Sequence, residues 1–254
     1  MTERAPLAGA SGMVNARDLG GLRTEDGRQV RAGRVVRSDS PTELDPAGLA
    51  YLLDEYGLRT VVDLRGATEA TLDGRGELGD RVAHYHNLPV LGPDRRRLDL
   101  TAPTAEGSML HRYLEYLDES PGVIVEALTA LAAPEGTPAL VHCAAGKDRT
   151  GVVIALLLGV VGVREEDIVA DYAATGPNVA AVRARVGRAR SAQAAATTVA
   201  DLPDWVFAAD AATMRQFLDH LSAEHGGAVA WATAAGLDPA VQQHLSETLL
   251  EPAS

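Results

Sequence analysis

The stretch that most constrains this chain is PALVHCAAGKDRTGVVIALLLGVVGV, Pro138 to Val163. It opens as a short apolar run, PALVHC, bounded by proline, and reads as a buried strand. Six residues rich in small and charged side chains follow, Cys143 to Asp148. From Arg149 the sequence is apolar on every helical face, and a helix of that kind has to be buried. Its apolar run, Val152 to Val163, has 12 residues and two glycines, whereas crossing a bilayer takes about 20. The helix therefore belongs inside a globular protein, and a strand feeding it through a tight loop is the unit from which α/β folds are built.

The flanking sequence repeats that alternation. GRVVRS (33–38) reads as a strand and PTELDPAGLAYLLDEYG (41–57) as a helix, with Ser40 or Thr42 as its cap and Gly57 as its stop. LRTVVDLR (58–65) is a β-branched run, so it reads as a buried strand, and VAHYHNLPV (82–90) as a third strand. GSMLHRYLEYLDES (107–120) carries apolar residues at helical spacing, and PGVIVEALTALAAPEG forms a further helix with Pro121 near its start. The expected fold is a three-layer α/β arrangement around a mainly parallel sheet. Beyond residue 163 no strand pattern is evident. REEDIVADYAAT, AADAATMRQFLDHLSAEHG and LDPAVQQHLSETLL read as helices, and the arginine-bearing segment between the first two is ambiguous. We expect one domain over 1–254, with 164–254 a helical elaboration or cap. Residues 186–204 are its most mobile piece, and 181–210 is the span in which a lid would lie.

Cys143 is the sole cysteine of 254 residues, so no internal disulfide exists and nothing calls for an oxidising compartment. The N-terminus has no secretory pattern, and the chain reads as cytoplasmic, with export independent of a signal left open. A net charge of −12 argues against nucleic-acid partners and against long-range steering of anions. Phosphate recognition, if present, has to be local.

The loop between strand and helix supplies such recognition. Ligands of open α/β sheets sit beyond the carboxyl ends of the strands. A helix N-terminus offers unpaired N–H groups and partial positive charge to an anion. The amides of Ala144, Ala145, Gly146 and Lys147 can form an anion-binding nest, Gly146 permits the turn, and the Arg149 fork can take two phosphate oxygens. Cations and a helix N-terminus favour the thiolate of a cysteine placed between them. A thiolate at the floor of a phosphate cradle is an in-line nucleophile for phosphorus. Thr150 can donate its hydroxyl to that sulfur, and His142 can brace the loop. The bland alternative is an inert, buried thiol. A Walker-type nucleotide loop is excluded, because it needs glycine where Val141 stands and a hydroxyl where Asp148 stands.

HCAAGKDRTG resembles the His-Cys-x5-Arg-Ser/Thr signature of cysteine-dependent tyrosine phosphatases. GKDRTG is most similar to the bacterial protein tyrosine and phosphoinositide phosphatases typified by a secreted mycobacterial enzyme. NARDLGG (15–21), RVVRSDSP (34–41) and VVDLR (61–65) extend the resemblance from Asn15 to Gly151. It implies a metal-independent, cofactor-free phosphatase working through a cysteinyl phosphate, with phosphotyrosine, and by extension phosphoserine, phosphothreonine or phosphoinositides, as substrate. Phosphate-like and vanadate-like anions would occupy the loop, and stable membrane insertion is not expected. Cys143 would attack, Arg149 and the amides would hold the phosphoryl oxygens, and Asp148 would serve as general acid and then base. Asp94 and Asp63 are the other acid candidates, although Asp63 beside Arg65 suits an arginine-orienting role better. Lys147 would either face a second phosphate or point to solvent. Asn15 and Arg17 would brace the loop, with Arg17 and Arg37 paired to Asp18 or Asp63. The basic clusters DRRRL (94–98) and Arg183, Arg185, Arg188 and Arg190 read as solvated faces, or as contacts for lipid head groups or phosphoprotein. His84 and His86 share a strand face but lack a third metal ligand. Competing functions are a non-catalytic phosphate-binding module, opposed by the intact Cys143, Asp148 and Arg149, and a sulfurtransferase or arsenate reductase, opposed by the Gly-Lys-Asp insert and the missing second cysteine.

Overall fold

The computed structural model describes residues 7–91, 105–193, 199 and 202–252. Five strands make one sheet in the order β1-β2-β5-β3-β4: β1 (Arg17–Asp18), β2 (Val35–Ser38), β3 (Thr60–Asp63), β4 (His84–Asn87) and β5 (Ala139–His142). Strands β2, β5, β3 and β4 run parallel, and only β1, paired with β2, is antiparallel. The two-residue β1 lies within NARDLGG, and so short a strand leaves no alternation to read. The apolar run PALVHC yields the central strand, buried along its whole length.

Successive residues of the inner strands face opposite layers, as the pleat requires. Val36, Val61 and Leu140 enter a smaller cluster with Ala10, Ala16, Leu49, Leu52 and Leu78. Val35, Val62 and Val141 join the larger cluster on the other face. That second layer is built on α4 (Ala105–Glu119), α5 (Pro121–Ala132) and α6 (Asp148–Val160), with α7 (Glu165–Ala173), α10 (Ala211–His225), α11 (Ala228–Ala234) and α12 (Pro239–Leu249) outside them. Val152 to Leu158 of α6 are all buried, which is why that sequence tolerates apolar residues all round. Among the described residues beyond 163 the regular elements are helical, including α8 (Val179–Arg188) and α9 (Arg190–Gln193).

Several local expectations need correction. The 41–57 segment is a 3-10 turn, then α1 (Pro46–Ala50), then a wider turn over Tyr51–Glu55. Its cap is Asp45, which accepts from the Gly48 N–H at 2.8 Å; Ser40 and Thr42 make no cap bond to the backbone. Pro46 immediately after Asp45 favours that start. Residues 66–81, without a readable period, form α2 (Ala67–Asp73) and α3 (Gly76–Arg81), punctuated by Gly74 and Gly76 at positive φ.

The register places the site. Ser38, His142, Asp63 and Asn87 lie side by side at the carboxyl ends of their strands. Asp39, Cys143 and Leu64–Arg65 therefore emerge at one sheet edge, where α/β folds place ligands.

Candidate active site

Cys143 leaves the end of β5 with 2% of its surface exposed. The loop after it is shaped from outside by hydrogen bonds to its carbonyls. The Ser40 N–H donates to Ala144 O at 3.1 Å. Asn15 Nδ2 donates to Ala145 O at 3.0 Å, and Arg37 donates to Gly146 O at 2.8 Å. In a planar trans peptide the N–H of the next residue points opposite to the carbonyl. With three successive carbonyls drawn outward, the amides of Ala145, Gly146 and Lys147 turn to the inner side. Gly146 sits at φ +67°, and a Cβ there would lie 2.3 Å from the Ser38 backbone; the loop presses so closely on β2 that only glycine fits. Helix α6 begins at Asp148, adding first-turn N–H groups that have no partner within the helix.

The bracing runs through one buried carboxylate. Arg37 reaches Asp171 Oδ2 at 2.7 Å and Arg17 reaches Asp171 Oδ1 at 3.1 Å. Arg17 also donates to Asn15 Oδ1 at 2.8 Å. Arg17 and Arg37 are thus held by Asp171 of α7 and not by Asp18 or Asp63. Asp18 instead accepts from Gly33 N and from the Tyr56 hydroxyl. Asn15 thus touches the loop directly, and Arg17 touches Asn15. Asp171→Asn would leave both buried guanidiniums without their shared charge, and breaking a buried pair in this way costs about 3–5 kcal/mol. The urea midpoint should fall accordingly, and an unchanged midpoint would refute this account of the brace.

Arg149 is buried, and Glu69 of α2 meets it end-on: NH1 to Oε2 at 2.6 Å and NH2 to Oε1 at 3.0 Å. Glu69 Oε2 also accepts from the Gly66 N–H at 2.9 Å, which ties it to the start of its own helix. Burial opposes the charge on Arg149, but the Glu69 carboxylate, with the Cys143 side chain adding to it, holds the guanidinium protonated well above the ordinary range. A guanidinium has five N–H groups. End-on pairing uses NH1 and NH2, and the side fork of Nε and the second NH2 hydrogen stays available for two phosphoryl oxygens. Glu69 carries no motif of its own. Its only sequence signal is its place four residues after VVDLR.

Asp63 and Arg65 lie beneath the loop, both fully buried. Arg65 grips Asp63 through Nε at 2.9 Å and NH2 at 2.6 Å, and the Tyr85 hydroxyl donates to Asp63 Oδ2 at 2.6 Å. Burial raises the Asp63 pKa, but His142, Arg65 and Tyr85 together hold it below the usual carboxylate range. An ionised, enclosed Asp63 suits the arginine-orienting role and not proton donation. His142 lies 3.0 Å through Nδ1 from the Cys143 carbonyl, a contact that needs the proton on Nδ1. Burial lowers its pKa despite the Asp63 carboxylate nearby.

Two expectations fail on geometry. The Thr150 hydroxyl is buried without a hydrogen-bond partner among the described residues, so it does not bond the Cys143 sulfur here. Lys147 faces neither solvent nor the loop's inner side: it is 2% exposed, and its ammonium donates to Val206 O at 2.6 Å and Ala208 O at 3.0 Å. Its partners are backbone atoms about sixty residues downstream, which no side-chain pattern reveals. Asp148 heads α6 with its carboxyl part-exposed. Asp94 and the DRRRL cluster lie outside the described residues, as do 194–198, 200 and 201 of the 186–204 segment.

In the second arginine cluster Arg185 is buried, whereas Arg188 and Arg190 are exposed. Arg185 binds Asp39, whose other oxygen accepts from Asn15 N at 2.9 Å. Arg188 binds Glu43 at 2.8 Å and Arg183 binds Asp204 at 2.5 Å. Ser191 of α9 donates its N–H and hydroxyl to Asp73 at 2.8 and 2.6 Å. Helices α8 and α9 therefore lie across from the loop after β2 to α2. Among the described residues, no group of three His, Cys, Asp or Glu is placed to hold a metal, and no helix is long and apolar enough to cross a membrane.

A family model described as "Tyrosine phosphatase family" matches residues 8–251. A Cupriavidus necator protein bearing the name "Putative tyrosine-protein phosphatase" is 38% identical over 164 residues, 62% of this chain and 59% of that protein. "Triple specificity protein phosphatase PtpB" of Mycobacterium tuberculosis is 33% identical over 205 residues, 69% of this chain and 71% of that protein. "Tyrosine-protein phosphatase" of Nostoc commune is 30% identical over 132 residues, 52% of this chain and 44% of that protein. The chain thus spans less than two thirds of the length of the first and third of these relatives.

Proposed function

This chain belongs to the tyrosine phosphatase family, and we propose on that premise that it hydrolyses phosphate monoesters, phosphotyrosine foremost, through a phosphorylated Cys143. The observation that carries the reading is the loop itself: three outward carbonyls, inward amides, the Cys143 thiol at its start and the Arg149 side fork at its end. Inward N–H groups and a fixed guanidinium match the three equatorial oxygens of a phosphoryl group in flight, where charge has to be stabilised.

In the first step the Cys143 thiolate forms the S–P bond while the bond from phosphorus to the leaving oxygen breaks, and Asp148 gives that oxygen its proton. In the second step water attacks the phosphocysteine, Asp148 takes a proton from it, and the S–P bond breaks to return thiolate and inorganic phosphate. Arg149, steadied by Glu69, and the loop amides hold the same oxygens in both steps. No metal or cofactor enters.

Phosphotyrosine is favoured over substrates with several phosphates because the loop's second cation is committed elsewhere. An ammonium has three donors; two of those of Lys147 go to Val206 and Ala208, and its third neighbour is Asp148. A panel of phosphotyrosine, phosphoserine and phosphothreonine peptides with phosphoinositides tests this preference.

The role of Asp148 has its own test. General-acid assistance contributes about 10²–10⁴-fold and matters most when the leaving group is poor. Asp148→Asn should depress kcat/KM, which reports the first step alone, strongly on phenyl phosphate and weakly on p-nitrophenyl phosphate. Equal losses on both would remove Asp148 from the acid role.

A further inference from the structure

Asp148 is gripped by one oxygen only. The Tyr113 hydroxyl of α4 donates to Asp148 Oδ1 at 2.7 Å, and Lys147 Nζ lies 3.2 Å from the same atom. No hydrogen bond to Oδ2 is formed among the described residues, and the carboxyl is part-exposed at the N-terminus of α6. Tyr113 is fully buried. Its ring is fixed by a stacked Tyr116 at 6.1 Å and by edge contacts from Tyr172 at 6.1 Å and Phe217 at 6.3 Å. Its oxygen lies 2.6 Å from the Tyr172 hydroxyl of α7. A phenol has one proton to give. With that of Tyr113 given to Asp148, Tyr172 is the donor between the two phenols. Burial, with the Asp148 charge beside it, keeps the Tyr113 phenol protonated well above the usual tyrosine range. The chain of donors from Tyr172 through Tyr113 to Asp148 therefore runs in one direction.

A carboxylic acid that accepts a hydrogen bond on one oxygen, with an ammonium beside the same atom, carries its proton on the other. We propose that Tyr113 is a positioning residue for proton transfer: its hydroxyl, backed by Tyr172 and joined by Lys147, holds Asp148 Oδ1 so that Oδ2 delivers the proton to the leaving oxygen and later receives one from water. The inference rests on Asp148 being the general acid. Lys147 has a part here that differs from reading substrate. Anchored on the Val206 and Ala208 carbonyls, it fixes Asp148 against the segment that precedes α10. The acid's aim is thus set by three helical elements, α4, α7 and the turn before α10, all outside the loop motif.

The test uses the whole chain and two substrates, p-nitrophenyl phosphate and phenyl phosphate, with Tyr113→Phe, Asp148→Asn and the double variant. A hydrogen bond to a charged group removed from the transition state of the first step lowers kcat/KM about tenfold. Tyr113→Phe should show that loss on phenyl phosphate and less than about twofold loss on p-nitrophenyl phosphate. In the Asp148→Asn background it should cost nothing further, because the group it aims is gone. Tyr113→Phe leaves the Tyr172 hydroxyl without an acceptor, so Tyr113→Phe/Tyr172→Phe, which removes both polar atoms, guards against a folding artefact; it should reproduce the same substrate-selective loss. Equal losses on the two substrates, no loss on either, or a full further loss in the Asp148→Asn background would overturn the inference. If Asp148→Asn itself ignores the leaving group, the acid assignment fails. If it responds and Tyr113→Phe does not, only the positioning role fails.

Discussion

Cys143→Ser is expected to abolish hydrolysis of p-nitrophenyl phosphate, with a fall on the order of 10⁵–10⁶-fold, the scale seen when an enzyme loses its nucleophile. The substitution replaces one atom at a buried position, so the fold has no reason to change. What is lost is an anion: a serine hydroxyl is a weak nucleophile unless a base activates it, and the neighbouring imidazole of His142 is turned to the Cys143 carbonyl. The phosphate cradle does not depend on the sulfur. Its carbonyls are held by Ser40, Asn15 and Arg37. The variant should therefore still bind phosphate and vanadate by calorimetry while turning over nothing, with EDTA present throughout. Residual turnover within about a hundredfold of the parent would remove Cys143 from the nucleophile's role.

The second large effect is on Arg149. Arg149→Lys keeps the charge and removes the fork, so its cost measures geometry. Glu69 holds the guanidinium end-on at 2.6 and 3.0 Å, which aims the Nε and NH2 edge at the loop. A lysine in its place supplies a single point of charge, and Glu69 would capture it. Transition-state donors of this kind are worth about 10²–10³-fold singly, and an arginine acting on a transferring phosphoryl group up to about 10⁵. We expect kcat to fall about 10³-fold or more, with a smaller change in KM. A loss within about tenfold would mean that the fork does not hold the phosphoryl oxygens.

The sheet and the buried helix were legible because burial leaves a local trace. PALVHC and LRTVVDLR announce strands covered on both faces, and the apolar run after Arg149 announces a helix enclosed on every side. The candidate loop stood out in the sequence because its residues are contiguous from His142 to Thr150. The groups that make the loop work arrive from elsewhere and carry no pattern. Asp171 sits in a helix whose spacing speaks only of amphipathicity, yet it neutralises Arg17 and Arg37. Glu69 lies in a short glycine-bounded helix with no readable period, yet it aims Arg149. Tyr113 reads as one more apolar residue of an amphipathic helix, and nothing in the sequence says that its hydroxyl points at Asp148. Lys147 misleads in the other direction: placed in an anion-binding loop it suggests a phosphate ligand, and its partners prove to be the carbonyls of Val206 and Ala208.

The central claim is that phosphate passes through the sulfur of Cys143. The most direct measurement is rapid acid quench of the Asp148→Asn variant during turnover of p-nitrophenyl phosphate, followed by peptide mapping by mass spectrometry. Without its base, the second step slows and the intermediate accumulates. The account predicts one phosphate per chain, on Cys143, absent from Cys143→Ser treated in the same way. Phosphate found on another residue, or p-nitrophenol released in a burst with Cys143 unmodified, would contradict it.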